Sequence, residues 1–247
     1  MDWSDEGIFI SAKPLGEANA VAELFTLGHG RHLGLVRGGR SRRLRPLLQP
    51  GNLLGVTWRA RLSEHLGGFN VELIEALAAR VLDDKLALAA IGSLTGLAKL
   101  LPERDPHPAL YGAALQVLRS LEVPSDWPAL LVRWELQLLQ ELGFGLDLTE
   151  CAATGLDIDL AYVSPRSGRA VSRDAGQPYD AKLLKLPAFL LDETAPASED
   201  DIVAGFALTG YFLERDVLGP HGQALPQARE RLVALLAAPP ASPASHC

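Results

Sequence analysis

Arg31–Leu62 reads RHLGLVRGGRSRRLRPLLQPGNLLGVTWRARL. Its last part alternates: Val56, Trp58 and Ala60 fall on one face, and Thr57, Arg59 and Arg61 on the other. That is the period of a half-buried β-strand. RHLGLVRG, at the start, is a second short apolar segment, closed by Gly38 and Gly39. Between the two lies GGRSRRLRP, a turn loaded with positive charge. From Arg31 to Arg61 there are eight arginines and no acid, in a chain whose formal net charge is -7.

Three more segments of the same kind flank this stretch: GIFISAK, AVAELFTL and FNVELIEA. PLGE, LGHG, GGRS, QPGN and HLGG punctuate them as turns. Five short strands with glycine-rich turns in the first 80 residues predict a small closed barrel, which leaves no bare sheet edge. The OB-fold is the five-stranded barrel of that size.

From about residue 72 the period changes. LIEALAARVLDDKLALAAIGSLTGLAKLLPE, ALYGAALQVLRSLE and SDWPALLVRWELQLLQELGF carry helical spacing. In the third, Ser125 or Asp126 is the expected cap, Pro128 sits in the first turn and Gly143 closes it. Its stripe is Leu130, Leu131, Trp134, Leu138, Leu139 and Leu142. A short hairpin, LAYV–SPRSG–RAVS, interrupts the helices. Helix resumes at SEDDIVAGFALTGYFLERDVL, where Ser198 with Asp201 predicts a capping box, and ends near PQARERLVALLA. The fold class is therefore α+β, with a barrel domain over 1–80 and an all-helical domain over 81–237. The hairpin insertion falls at about 147–180, and the small, proline-rich tail 238–247 is expected to be disordered.

The length of 247 residues suits one large domain or two modest ones, and 48% hydrophobic residues exclude wholesale disorder. No apolar run approaches 18 residues, so no membrane span is expected. The two cysteines, Cys151 and Cys247, fit a reducing compartment better than a disulfide framework. MDWSDEGIF lacks the features of a signal peptide, and a cytoplasmic protein is expected. Residues 1–80 hold ten basic and eight acidic side chains, and 81–247 hold thirteen and twenty-two. Charge so divided suggests two domains with different partners.

Arginine stays charged, and its planar fork matches phosphate oxygens bidentately. Gly38 and Gly39 allow close backbone approach. With Arg59 and Arg61 on one face of the next strand, the loop points to a backbone-binding surface for single-stranded nucleic acid; Trp58 falls on the opposite, core face. Other motifs carry less. GHGRHLG has G-x-G-x-x-x-G spacing and leads into a strand, so it is a hairpin turn and no dinucleotide fingerprint. His29 and His32 lack a third metal ligand nearby. Asp157 and Asp159 share a face if extended, a pairing that can hold Mg²⁺ or simply mark a hairpin edge. No nucleotide-hydrolysis or nucleophile motif is present, and the protein is expected not to be an enzyme. Arg133 stands beside the leucine-rich face of the third helix, where an arginine-rimmed groove would suit an acidic peptide and a bundle core would suit the leucines.

GHGRHLGLVRGGRSRRLRPLLQPGN, PALLVRWELQLLQELGFGLDLTECAATG, YVSPRSGRAVS and ARERL together resemble the bacterial recombination-mediator family RecO, from about Glu6 to Leu232. The resemblance implies an N-terminal OB-fold, a helical C-terminal domain, and binding of single- and double-stranded DNA in a cytoplasmic, nucleoid-associated protein. It implies annealing of complementary strands, and loading of RecA on DNA coated by the single-stranded DNA-binding protein SSB, with RecR and in some members RecF. The positions matching the family's basic barrel region are Arg31, Arg37, Arg40, Arg42, Arg43 and Arg45, and Arg133 is the candidate contact for the acidic SSB tail. Many members bind zinc through four cysteines in the hairpin insertion. Only Cys151 stands there in this chain, so a degenerate zinc-finger region without zinc or other cofactor is expected. Two readings compete with it: an adaptor whose arginine loop binds acidic peptides, and an enzyme with a scattered active site, such as a nuclease using Asp157 and Asp159.

Overall fold

A computed structural model describes residues 1–123 and 127–238. The Ser125/Asp126 cap and the tail from Pro239 onward, with Cys247, lie outside the described residues. Five strands close into a barrel in the order β1-β2-β3-β5-β4: β1 Asp2–Leu15, β2 Asn19–Thr26, β3 Gly30–Val36, β4 Leu53–Arg59 and β5 Gly68–Glu75. Neighbours pair antiparallel except β3 and β5, which run parallel and pair only at Leu35 and Gly68. β3 ends one residue later, at Val36, and a groove lies between the end of β3 and β5.

Strand alternation splits the barrel residues between two cores. Phe9, Ala22, Leu24, Val36, Leu54, Val56, Trp58 and Phe69 fill the barrel. Ile8, Ile10, Phe25 and Leu53, on the outer face, join the core of the helical domain. The run GIFI and the pair Leu53–Leu54 are apolar on consecutive positions because these strands are buried on both sides there. Tyr111 of the helical domain packs edge-on against Phe25, with ring centroids 5.5 Å apart, and its hydroxyl donates to Glu6 at 3.2 Å. Burial, with the Glu6 carboxylate beside it, pushes the Tyr111 phenol pKa up.

The change from strand to helix comes later than residue 72. β5 continues to Glu75, a 3-10 turn spans Ala78–Val81, and α1 runs Lys85–Ala98. Asp84 caps α1 by accepting from the Leu86 and Ala87 amides, and Asn52 Oδ1 holds the Ala78 amide. These side chains override the helical composition of LIEALAARVL. α2 Pro108–Ser120 and α3 Trp127–Glu141 follow. The hairpin is β6 Leu160–Val163 with β7 Ala170–Ser172, joined by a third short strand, β8 Leu184–Lys185, after the four-residue α4 Arg173–Gly176. α5 Glu199–Phe212 starts with the Ser198/Asp201 capping box and passes into a π-helical turn, Leu213–Leu218; α6 is Gln227–Leu236. Among the described residues no helix is long and apolar enough to cross a membrane.

Candidate nucleic-acid interface

The arginine-rich segment is a folded plug. Gly38, at φ +66°, reverses the chain after β3, and its amide donates to Asn19 Oδ1 at 3.0 Å. The Arg40 amide donates to the Ala18 carbonyl at 3.0 Å, which staples the segment to the β1–β2 turn. Ser41 then starts a helical turn: its hydroxyl accepts from the Leu44 amide, and the Arg45 and Leu48 amides donate to the Ser41 and Leu44 carbonyls. That turn sorts its side chains. Leu44, Leu47 and Leu48 pack into the barrel core, while Arg42, Arg43 and Arg45 are exposed. Asn52 closes the segment, donating to the Pro46 and Leu47 carbonyls.

The groove opened by β3 and β5 consists of two adjoining depressions of about 340 and 410 Å³. Arg37, Phe69 and Asn70 line both; Arg43 belongs to the first and Arg59 to the second. Three arginines from three separate segments thus converge on one path. The groove needs Gly34, because a Cβ there would stand inside the Phe69 ring. Of the eight arginines, Arg31 and Arg59 form ion pairs among the described residues. The Arg59–Asp2 contact is loose, 3.9 Å with both side chains about 70% exposed. Arg40 donates to the Gly16 and Glu17 carbonyls at 3.0 Å, and Arg61 is exposed on the β4–β5 loop.

Arg31 stands apart from this set. Its guanidinium is partly buried, 2.5 Å from Glu23, and its Nε donates to the Leu101 carbonyl at 2.7 Å. It ties the barrel to the helical domain. Arg133 is also engaged: Nε donates to the Phe189 carbonyl at 3.1 Å, Nη2 to the Glu193 carbonyl at 3.0 Å, and the guanidinium lies over the Phe189 ring. It pins the segment before α5 onto α3. Asp159 faces Arg173 at 3.2 Å, and Asp157 is exposed. His29 and His32 both turn toward Trp3. Among the described residues no group of three or more His, Cys, Asp or Glu side chains could hold a metal ion.

Cys151 is buried at the foot of the β6–β7 hairpin. Burial opposes ionisation of its thiol, but the Ser172 hydroxyl and amide, with Thr154 and the Ala153 amide, outweigh it and bring the pKa down to about 6. Around it the Gly155 amide donates to the Cys151 carbonyl, and the Ala152 amide to the Ala170 carbonyl, both at 2.8 Å. Serine, threonine and backbone amides are not a zinc donor set.

Comparison with known proteins agrees with this architecture. Residues 1–77 match the family model for the N-terminal part of recombination protein O, and residues 83–224 match the model for its C-terminal part. The DNA repair protein RecO of Methylorubrum populi is 55% identical over 241 residues, covering 95% of this chain and 98% of the relative. That of Methylobacterium nodulans is 54% identical over 95% and 98%, and that of Rhizobium etli 52% identical over 98% and 96%. The chain belongs to the RecO family of DNA repair proteins. A role in recombinational DNA repair comes with that membership.

Proposed function

We propose that the protein binds and anneals single-stranded DNA along the β3–β5 groove and so helps RecA load on SSB-coated strands. The convergence of Arg37, Arg43 and Arg59 on one groove carries this reading. Arg42, Arg45 and Arg61, exposed on the loops before and after β4, add to the positive field of the barrel. Two complementary strands repel through their phosphates, and a surface that neutralises several of them lowers that barrier. No covalent bond forms or breaks, so the reading needs no catalytic group, no zinc and no other cofactor. Arginine grips the backbone without reading sequence, which suits a protein that must anneal any pair of strands.

RecR, RecF and the SSB tail enter as partners through the family resemblance. Arg133 keeps a place in that proposal through the face it shapes against Phe189, since its guanidinium already serves the chain's own carbonyls. The test is annealing of complementary strands coated with SSB. The variant with Arg37, Arg43 and Arg59 all changed to Ala should anneal at least tenfold more slowly than the parent. Equal rates would refute the groove assignment. Equal affinity of parent and variant for single strands, with loss of binding to an acidic peptide, would favour the adaptor.

A further inference from the structure

A second cavity, of about 760 Å³, opens on the barrel beside the β4–β5 loop. Its wall is a ladder of rings that climbs from core to surface. Trp58 is buried; Trp3 lies against it, with centroids 5.7 Å apart and planes within 17°. His29 stacks on Trp3 at 3.9 Å with planes within 8°, and its side chain is 36% exposed. One face of the imidazole is covered by Trp3, and Asp5 holds Nδ1 at 2.8 Å, so the ring is fixed in place. Asp2, Ser63, Glu64 and Arg104 also line it. Arg104, at φ +63°, spends its guanidinium on the carbonyls of Ser63, Glu64 and His65, which locks the β4–β5 loop in position.

We infer that this cavity takes an unpaired nucleobase, stacked on His29 as the next rung of the ladder. The inference rests on the groove reading above. A base is flat and uncharged, and the cavity offers a flat ring and a rim of mixed sign that is unsuited to a phosphate. The Asp2 and Glu64 carboxylates are acceptors for the N–H groups on a base edge, thymine N3–H among them. Position favours a continuous strand: Asp2 lines the cavity, its cross-strand partner Arg59 lines the groove, and the β4–β5 loop borders both. A strand leaving the groove past Arg59 therefore meets the ladder. Duplex DNA, with its bases paired, cannot insert one without flipping it, so the cavity gives the barrel a preference for single strands.

The test uses the full chain and two oligonucleotides of equal length, one of thymidines and one wholly abasic, titrated by fluorescence anisotropy. Stacking on an aromatic ring predicts that the parent binds the thymidine strand at least about fivefold more tightly than the abasic one. His29→Ala should erase that ratio and leave abasic binding unchanged, and His29→Phe should restore it. The Arg37/Arg43/Arg59 variant should weaken both strands alike. If the thymidine-to-abasic ratio survives His29→Ala, or no ratio exists in the parent, the base site is refuted while the groove stands. If the arginine variant binds both strands as the parent does, the groove itself fails. An acidic peptide that displaces neither strand but quenches Trp3 fluorescence, lost in Trp3→Phe, would assign the cavity to a protein partner and overturn the inference.

Discussion

Arg229 and Glu135 meet through two hydrogen bonds, of 2.9 and 2.8 Å, at the centre of the helical domain, with both side chains sealed from solvent. Thr209 donates to the same carboxylate, and the Phe206 carbonyl takes a further Arg229 proton at 2.7 Å. The network joins α3, α5 and α6. Removing one partner strands a buried charge, so Glu135→Ala should cost about 3–5 kcal/mol in urea unfolding. The double change Glu135→Leu with Arg229→Met removes both charges and should recover most of that loss. A single variant as stable as the parent would show that water reaches the pair.

Gly34 and Gly112 predict opposite outcomes for the same kind of change. Gly34→Val drives side-chain atoms into Phe69 and should cost at least 1–3 kcal/mol, roughly the penalty of overpacking, while distorting the groove floor. Gly112 lies inside α2, and a Cβ added there would meet open space. Gly112→Ala should raise stability by about 0.5–1 kcal/mol. Urea midpoints for the two variants check both signs.

The barrel was legible because its strands announce themselves through Val56–Trp58–Ala60 alternation and glycine turns. The helices were legible through Leu and Ala spacing and the Ser198/Asp201 box. What stayed hidden depended on partners far away in the chain. Glu135 sits in a leucine stripe, and nothing local says that Arg229, 94 residues on, will neutralise it. Arg31 looks like one more member of a basic run until Glu23 and Leu101 claim it. Leu44, Leu47 and Leu48 carry the one local signal that the arginine loop is a plug: three leucines at helical spacing. The ladder through Trp58, Trp3 and His29 spans β4, β1 and the β2–β3 turn: the β1–β4 register sets Trp3 opposite Trp58, and the β1–β2 pairing brings the turn back beside the start of β1.

Cys151 should make stability pH-dependent. Its folded pKa, about 6, lies below the ordinary thiol value, so the thiolate's contribution is complete above about pH 9 and is lost as pH falls through 6. The stability gap between the parent and Cys151→Ala should therefore narrow from pH 9 to pH 6, read from urea midpoints. A gap that is flat or widens on acidification would contradict the hydrogen-bonded thiolate.

Salt dependence counts the arginines in contact with phosphates. Four or five contacts to a single strand predict that log K falls with log salt at a slope of about -3. Changing Arg37, Arg43 and Arg59 to Ala should flatten that slope by about 2. The same three changes in Arg31, Arg133 and Arg229 positions would act on stability instead, because each of those guanidiniums is held by the chain itself.

The most direct measurement is the affinity of the full chain for a thymidine oligonucleotide at about 150 mM salt, parent against Arg37/Arg43/Arg59→Ala, with the urea midpoint of each protein measured alongside. Binding weakened by more than tenfold at an unchanged midpoint is the expected result. Unchanged affinity at an unchanged midpoint would show that the strand does not run through the β3–β5 groove.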